Sequence, residues 1–191
     1  MTHYINIKFL LYEEGDLAFL RNTLFTKLHK ALFDLKSTDI GVSFPRADQK
    51  LGCMVRLHSG KESLQELQER NWLGGLSDRC QISDILPVPD TIKGYQVVSR
   101  IQPNMRQSKL RRIIKRSQKS ENEIRDDEVK NYEAKMFEGR LSNPYLELRS
   151  TSNSQLYRIY IAFGTLLQEP QSGEFDQFGL SKTATVPIFD H

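Results

Sequence analysis

The run DLAFLRNTLFTKLHKAL, residues 16–32, decides how the first half of the chain is read. Leu17, Leu20, Leu24, Leu28, Ala31 and Leu32 recur at spacings of three and four, which lays one apolar stripe along a helix. Asp16 stands where an N-cap carboxylate would accept from the first free amides. Before this helix, Tyr4, Ile5, Ile7, Phe9, Leu10 and Leu11 form a short β-prone run ended by Glu13, Glu14 and Gly15. After it, Ile40 to Phe44 reads as a strand stopped by Pro45, and Met54 to His58 alternates as another. These two are expected to pair antiparallel. Lys61 to Trp72 returns to helical spacing through Leu64, Leu67 and Trp72, with Gly74 and Gly75 to end it, and Gln81 to Val88 offers a last extended run. The order is β-α-β-β-α-β.

That order is the signature of a ferredoxin-like unit, a fold that does not by itself give a function. The expected class is α+β: an N-terminal ferredoxin-like domain over residues 1–92, then a smaller α+β domain over 93–191. Pro87, Pro89, Asp90 and Gly94 supply the linker. Tyr95 to Gln102 is strand-like, Pro103 and Asn104 lead into an arginine-rich helix, and Glu121 to Gly139 has weaker helical spacing. Tyr145 to Leu148 and Leu156 to Phe163 read as a β-hairpin around a Ser/Thr/Asn-rich turn. Residues 165–173 read as a loop, and Phe175 to Phe189 as a short terminal strand or two. The aromatic consensus of RNA-recognition modules, Lys/Arg-Gly-Phe/Tyr-Gly/Ala-Phe, is missing, so a sheet face is not the expected base-stacking platform.

Charge points to the partner. Arg100, Arg106, Lys109, Arg111, Arg112, Lys115, Arg116 and Lys119 crowd one window without an Asp or Glu among them. The whole chain has 27 Lys and Arg against 24 Asp and Glu; without these eight, 19 cations face the same 24 anions. A basic patch on a slightly acidic body attracts a polyanion, which makes nucleic acid the leading partner over a merely solvated helix face. At about 100° per residue, Leu110, Ile113 and Ile114 share one face of this helix, while Arg112, Lys115, Arg116 and Lys119 share the opposite one, with Arg111 at the border. Such a helix suits the major groove of B-DNA, or a short RNA duplex whose groove opens beside a loop. The charge pattern leaves both targets open.

At 191 residues the chain can bury a real core. Cys53 and Cys80 are too few for a disulfide framework and have no CxxC spacing for zinc, so a reducing cytoplasm is the expected setting. No secretory leader and no apolar run long enough to span a bilayer is read, so no membrane partner is expected. HExxH, GxSxG and Walker patterns and clustered carboxylates are also missing, so neither metal nor cofactor is expected. His29 lies beside the apolar stripe, one residue after Leu28, at the edge of the core; His3, His58 and His191 read as strand-edge or terminal residues. RNA carries its own nucleophile, the 2′-OH, so one imidazole near neutral pKa plus a hydroxyl donor suffices for strand cleavage. Ser150, Ser152 and Ser154 on the hairpin turn are candidate hydroxyls, although Ser/Thr-rich turns are usually only turns.

Several local patterns occur in an order that is similar to one family. They are His-Tyr-Ile-Asn-Ile (His3 to Ile7), Lys-Leu-His-Lys-Ala-Leu (Lys27 to Leu32) and Ile-Gly-Val-Ser-Phe-Pro (Ile40 to Pro45). Val-Ser-Arg-Ile-Gln (Val98 to Gln102), Arg-Arg-Ile-Ile-Lys-Arg (Arg111 to Arg116), Leu-Arg-Ser (Leu148 to Ser150) and Phe-Gly-Leu-Ser-Lys (Phe178 to Lys182) follow. The chain resembles the type I-F CRISPR-associated endoribonuclease that cuts repeat stem-loops out of precursor CRISPR RNA. The resemblance implies a metal-independent cut at the base of the hairpin, with His29 taking the proton of the 2′-OH and Ser150 holding that nucleotide. The products would be a 2′,3′-cyclic phosphate and a 5′-hydroxyl.

It implies further that Arg100 and Gln102 read base edges low in the stem and that Tyr157 stacks under the terminal base pair. Arg112 and Arg116 match groove-reading arginines when one residue is gapped before the helix. With Lys109, Arg111, Lys115, Lys119 and Ser152 they complete the expected RNA-binding set. Phe178, assigned to positioning, departs from the family: it stands where a tyrosine is frequent, so a hydroxyl that would orient the imidazole has no counterpart. The implied partners are the RNA stem-loop of the CRISPR repeat and other subunits of the type I-F surveillance complex. Two alternatives keep the basic helix and discard the imidazole: a non-catalytic hairpin RNA-binding or assembly subunit, and a duplex-DNA-binding regulator.

Overall fold

Nine strands and two α-helices build two antiparallel sheets among residues 1–11, 16–101, 142–150 and 154–190, which are those described from a computed structural model of the chain. The class is α+β. The strands are β1 His3–Phe9, β2 Gly41–Ser43, β3 Met54–Ser59, β4 Cys80–Ile82, β5 Leu86–Pro87, β6 Gly94–Ile101, β7 Tyr145–Arg149, β8 Leu156–Phe163 and β9 Thr185–Ile188. The helices are α1 Asp16–Leu35 and α2 Lys61–Glu69. Met1–Ile101 and Asn143–His191 form one compact unit. The arginine-rich helix and the Glu121–Gly139 segment expected from the sequence lie outside the described residues.

The first sheet has the order β2-β3-β1-β4, with β5 also against β1, and every pair is antiparallel. With α1 following β1 and α2 following β3, this is consistent with a ferredoxin-like arrangement. Alternation along β1 sends Ile5, Ile7 and Phe9 inward, and the α1 stripe meets them with Leu20, Leu24, Phe25, Leu28, Ala31 and Leu32, all buried. Each Leu, Ile or Phe of this set contributes roughly 1.5–3 kcal/mol on leaving water, so this face alone commits the helix to the sheet. Asp16 sits in the first turn of α1, where the helix dipole favours a negative charge, and ion-pairs with Arg79.

Two elements differ from the sequence reading. The extended run expected over 81–88 is broken into β4 and β5, because the pairing with β1 slips by one residue between Ile7↔Ile82 and Tyr4↔Leu86. This is the behaviour of a β-bulge: Asn6 N–H donates to the Ser83 side chain at 2.9 Å while Ser83 N–H donates to the Asn6 carbonyl at 3.0 Å. The helix expected to reach Trp72 stops at Glu69, since Asn71 turns to φ 46°, a left-handed conformation that asparagine tolerates. A short 3₁₀ turn, Gly74–Arg79, then leads into β4.

The second sheet has the order β7-β8-β6-β9 and holds the expected hairpin, with Leu146 opposite Ile159 and Leu148 opposite Tyr157. Pro187 lies in β9, an outer strand of this order, where a missing donor is tolerated. Both sheets feed one hydrophobic core: Leu146, Leu148, Ile159, Ile161, Phe175, Phe178 and Val186 join Ile5, Leu28 and Val42 in a single cluster. α1 is tied directly to β7 by Glu147 N–H, which donates to the Asn22 side chain at 3.1 Å. This bond spans 125 residues of sequence and sets α1 alongside the strand that leads into Ser150.

Candidate active site

The outward part of α1 and the end of the β7–β8 hairpin face a common groove of about 840 Å³. His29, Ser150, Tyr157 and Phe178 all line it. Four residues assigned separately from the sequence are thus brought to one place. His29 is half-buried on α1, one position beyond the buried Leu28. Its imidazole lies flat on Phe178, with ring centroids 4.2 Å apart and 4° between planes. Its Nδ1 faces the Gln177 carbonyl oxygen at 3.4 Å, at the long end of hydrogen-bonding distance. A carbonyl oxygen only accepts, so this contact suits the neutral tautomer with its proton on Nδ1, the form in which Nε2 offers a lone pair.

A tight turn holds Phe178 against the imidazole. The Asp176 carboxylate accepts from the amides of Phe178 at 2.8 Å and Leu180 at 3.0 Å. Gly179 closes the turn at φ 71°, and its amide donates to the Asp176 carbonyl at 2.9 Å. Its own carbonyl takes the Val42 amide at 2.9 Å, which anchors the turn to β2. A Cβ on Gly179 would fall 2.4 Å from Val42 Cγ2, so the position demands glycine on both conformation and space.

Ser150 follows β7 directly; its amide donates to the Gln155 carbonyl and its carbonyl accepts from Ser154, both at 2.9 Å. Ser154 adopts φ 55° in this turn. Arg100 sits on β6 opposite Ile161 and is not among the groove's lining residues. Its Nε is buried and has no hydrogen-bond partner among the described residues. Gln102, Lys109, Arg111, Arg112, Lys115, Arg116, Lys119 and Ser152 lie outside the described residues.

His58 departs from its sequence reading. It is not at a strand edge but fully buried on β3, which is flanked by β1 and β2, and its Nε2 lies 2.8 Å from the Ser43 hydroxyl. Burial pushes its pKa well below the usual histidine value, and the nearby Arg56 and N-terminal charges push the same way. Arg56 beside it is buried too, donating to the Asn6 side chain at 2.8 Å and the Phe189 carbonyl at 3.1 Å, with its guanidinium 3.9 Å from the Phe189 ring. These groups knit strands together and are remote from solvent.

Sequence reasoning missed Lys30, Phe33, Arg149 and Leu156 in the groove lining. A signal for Phe33 existed, since it lies one helical turn from His29 and off the apolar stripe. Among the described residues, no group of three or more His, Cys, Asp or Glu side chains is placed to hold a metal ion, and no helix is long and apolar enough to cross a membrane. Cys53 and Cys80 are both free thiols.

Comparison with known proteins adds a family to this geometry. Residues 4–189 match the model of the family described as CRISPR-associated protein (Cas_Csy4). A curated relative from Escherichia coli (strain UTI89 / UPEC), named CRISPR-associated endonuclease Cas6/Csy4, is 40% identical over 189 residues, covering 99% of this chain and 100% of the relative. A protein of the same name from Pseudomonas aeruginosa (strain UCBPP-PA14) is 34% identical over 192 residues, again covering 99% of this chain and 100% of the relative.

Proposed function

Because the chain belongs to the Cas_Csy4 family of CRISPR-associated proteins, we propose that it is the endoribonuclease that processes CRISPR RNA in a type I-F system. It binds the repeat stem-loop and cuts at its base without a metal ion. The relatives' name supports an endonuclease, and the groove supports the chemistry. The observation that carries the mechanism is the contact of His29 Nδ1 with the Gln177 carbonyl, which leaves the other ring nitrogen as a base in a groove shared with Ser150.

In this reading, His29 Nε2 accepts the 2′-OH proton as the 2′-oxygen attacks the adjacent phosphorus. The bond from phosphorus to the 5′-oxygen breaks, that oxygen takes a proton from water to leave as a 5′-hydroxyl, His29 returns its proton to solvent, and the phosphate remains as a 2′,3′-cyclic diester. General-base help of this kind is typically worth about 10²–10⁴-fold. Ser150 holds the ribose whose hydroxyl attacks, which converts binding into orientation. Tyr157 closes the stem by stacking, worth about 1–3 kcal/mol per base, and Arg100 with Gln102 reads base edges above it. Arg111, Arg112, Arg116 and the lysines Lys109, Lys115 and Lys119 hold the duplex through phosphates and groove edges, with Ser152 adding a hydroxyl contact.

The same reading keeps a ferredoxin-like domain over 1–92 and an RNA-binding domain over 93–191, supported for the first by the strand order β2-β3-β1-β4. It also has the protein act in the cytoplasm and join other subunits of the type I-F surveillance complex with its cut hairpin. The test uses the repeat hairpin in EDTA, then the same hairpin with a 2′-deoxy sugar at the cut. Cleavage that persists in EDTA and vanishes with the deoxy sugar is expected; cleavage lost in EDTA, or kept with the deoxy sugar, refutes the mechanism. The non-catalytic alternative draws support from Phe178, which brings no hydroxyl to the imidazole. It predicts binding without cleavage of the unmodified hairpin.

A further inference from the structure

The groove that contains His29 and Ser150 continues past them along α1. Phe33 lies four residues after His29, on the adjoining turn, and its side chain is 60% exposed. Leu156, 61% exposed at the start of β8, lines the same groove. Single exposed apolar side chains are ordinary. Phe33 and Leu156 share one groove beside a candidate base, and both stand outside the core cluster. Lys30 and Arg149 also line the space, and Arg149 is paired with Leu156 across the hairpin. Asp34 is the lone acid of the lining, so the groove carries more positive than negative charge. Its volume of about 840 Å³ falls in the upper part of the usual range for ligand pockets, roughly 300–1,000 Å³.

We infer that this outer part of the groove is a subsite for the first unpaired ribonucleotide on the 3′ side of the cut, its base stacked on Phe33 and its backbone met by Lys30 and Arg149. The inference rests on the endoribonuclease reading and extends it to the leaving group. Chemistry chooses the side. With the cut taken to lie just 3′ of the last stem pair, the nucleotide that supplies the 2′-OH is paired and has Tyr157 beneath it, so its base faces are committed. The next nucleotide, which departs with the 5′-hydroxyl, is single-stranded and has a free π-face. Stacking on an aromatic ring tolerates any base, so the subsite orders this nucleotide without reading its identity. Ordering it holds the leaving 5′-oxygen opposite the attacking 2′-oxygen, so the benefit falls on the chemical step more than on hairpin affinity.

The test places 2-aminopurine at that nucleotide in a hairpin RNA blocked by a 2′-deoxy sugar at the cut, and titrates it with the full-length protein. Stacking on the wild type should quench the fluorescence severalfold. Phe33→Ala should abolish most of the quench while changing hairpin affinity less than twofold, and Phe33→Trp should restore it. In parallel, Phe33→Ala should lower the single-turnover rate about tenfold on the cleavable hairpin and less than twofold when that nucleotide is abasic. An unchanged quench in Phe33→Ala, or equal rate losses on both substrates, overturns the subsite. If the wild type quenches the probe but leaves the cleavable hairpin intact, the subsite stands and the endoribonuclease reading falls instead. Because Phe33 is largely exposed, Phe33→Ala should fold as the wild type does, which a thermal melt of each variant checks.

Discussion

His29 and Phe178, separated by 149 positions in the chain, lie ring on ring at 4.2 Å with their planes within 4° of parallel. The stack fixes the tilt of the imidazole, and the Gln177 carbonyl next to Phe178 engages its Nδ1. One short turn therefore sets the plane of the proposed base and offers an acceptor that suits its Nδ1-protonated tautomer. An aromatic without a hydroxyl can perform the first task through its face, while the neighbouring backbone performs the second.

Replacing Phe178 should act on rate more than on binding. Phe178→Leu keeps apolar volume but removes the flat face, and the single-turnover cleavage rate should fall about tenfold, equivalent to about 1.4 kcal/mol of transition-state stabilisation. Phe178→Tyr keeps the face and should cleave at least as fast as the wild type. Rates that are unchanged in Phe178→Leu would show that the stack does not position the base.

His29→Ala should bind the repeat hairpin within about threefold of the wild type and fail to cut it by at least about 10²-fold, the lower end of general-base contributions. Gel-shift affinity and single-turnover kinetics on one preparation separate the two effects. A parallel loss of affinity would make His29 a structural residue.

Gly179→Ala should harm stability and activity together. Its φ of 71° is costly for any residue with a Cβ, and that atom would press on Val42 at 2.4 Å. A strained left-handed conformation costs of order 1–3 kcal/mol before the clash is counted. Thermal denaturation should show a lower melting temperature, and cleavage should slow because the Asp176–Leu180 turn carries Phe178. A variant of wild-type stability would mean the turn relaxes around the methyl group.

Acid should weaken the fold through His58. Its folded pKa lies well below the ordinary value near 6.5, while the unfolded chain titrates near that value. Below about pH 6.5 the unfolded state therefore binds a proton that the folded state excludes, and stability falls as pH falls. The slope approaches about 1.4 kcal/mol per pH unit for this one group. Urea denaturation between pH 7 and pH 5 should show that slope, and His58→Gln should flatten it by close to one proton. Identical slopes in the two proteins would locate the acid sensitivity elsewhere.

The local elements were legible because a side chain's facing follows from its position in a repeating backbone. The alternation of Ile5, Ile7 and Phe9 and the stripe from Leu20 to Leu32 are both such periodicities, and both appear as buried faces. Local pattern was blind where hydrogen bonding with a neighbour overrode it. The slip at Ser83 depends on Asn6 in another strand, and the end of α2 depends on the left-handed turn at Asn71. His58 was misjudged for the same reason, since its burial comes from strands that lie on both sides of β3.

By itself the sequence determined the order of elements, the apolar faces, the concentration of cations between Arg100 and Lys119, and the ordered motifs that carry the resemblance. What only the tertiary structure decided is that His29 from a helix, Ser150 from the end of a strand and Phe178 from a late turn meet in one groove, and that Phe33 borders it. No spacing encodes that meeting. It arises because Asn22 bonds to Glu147 and two sheets bury one core between them, contacts whose geometry exists only once distant segments have packed.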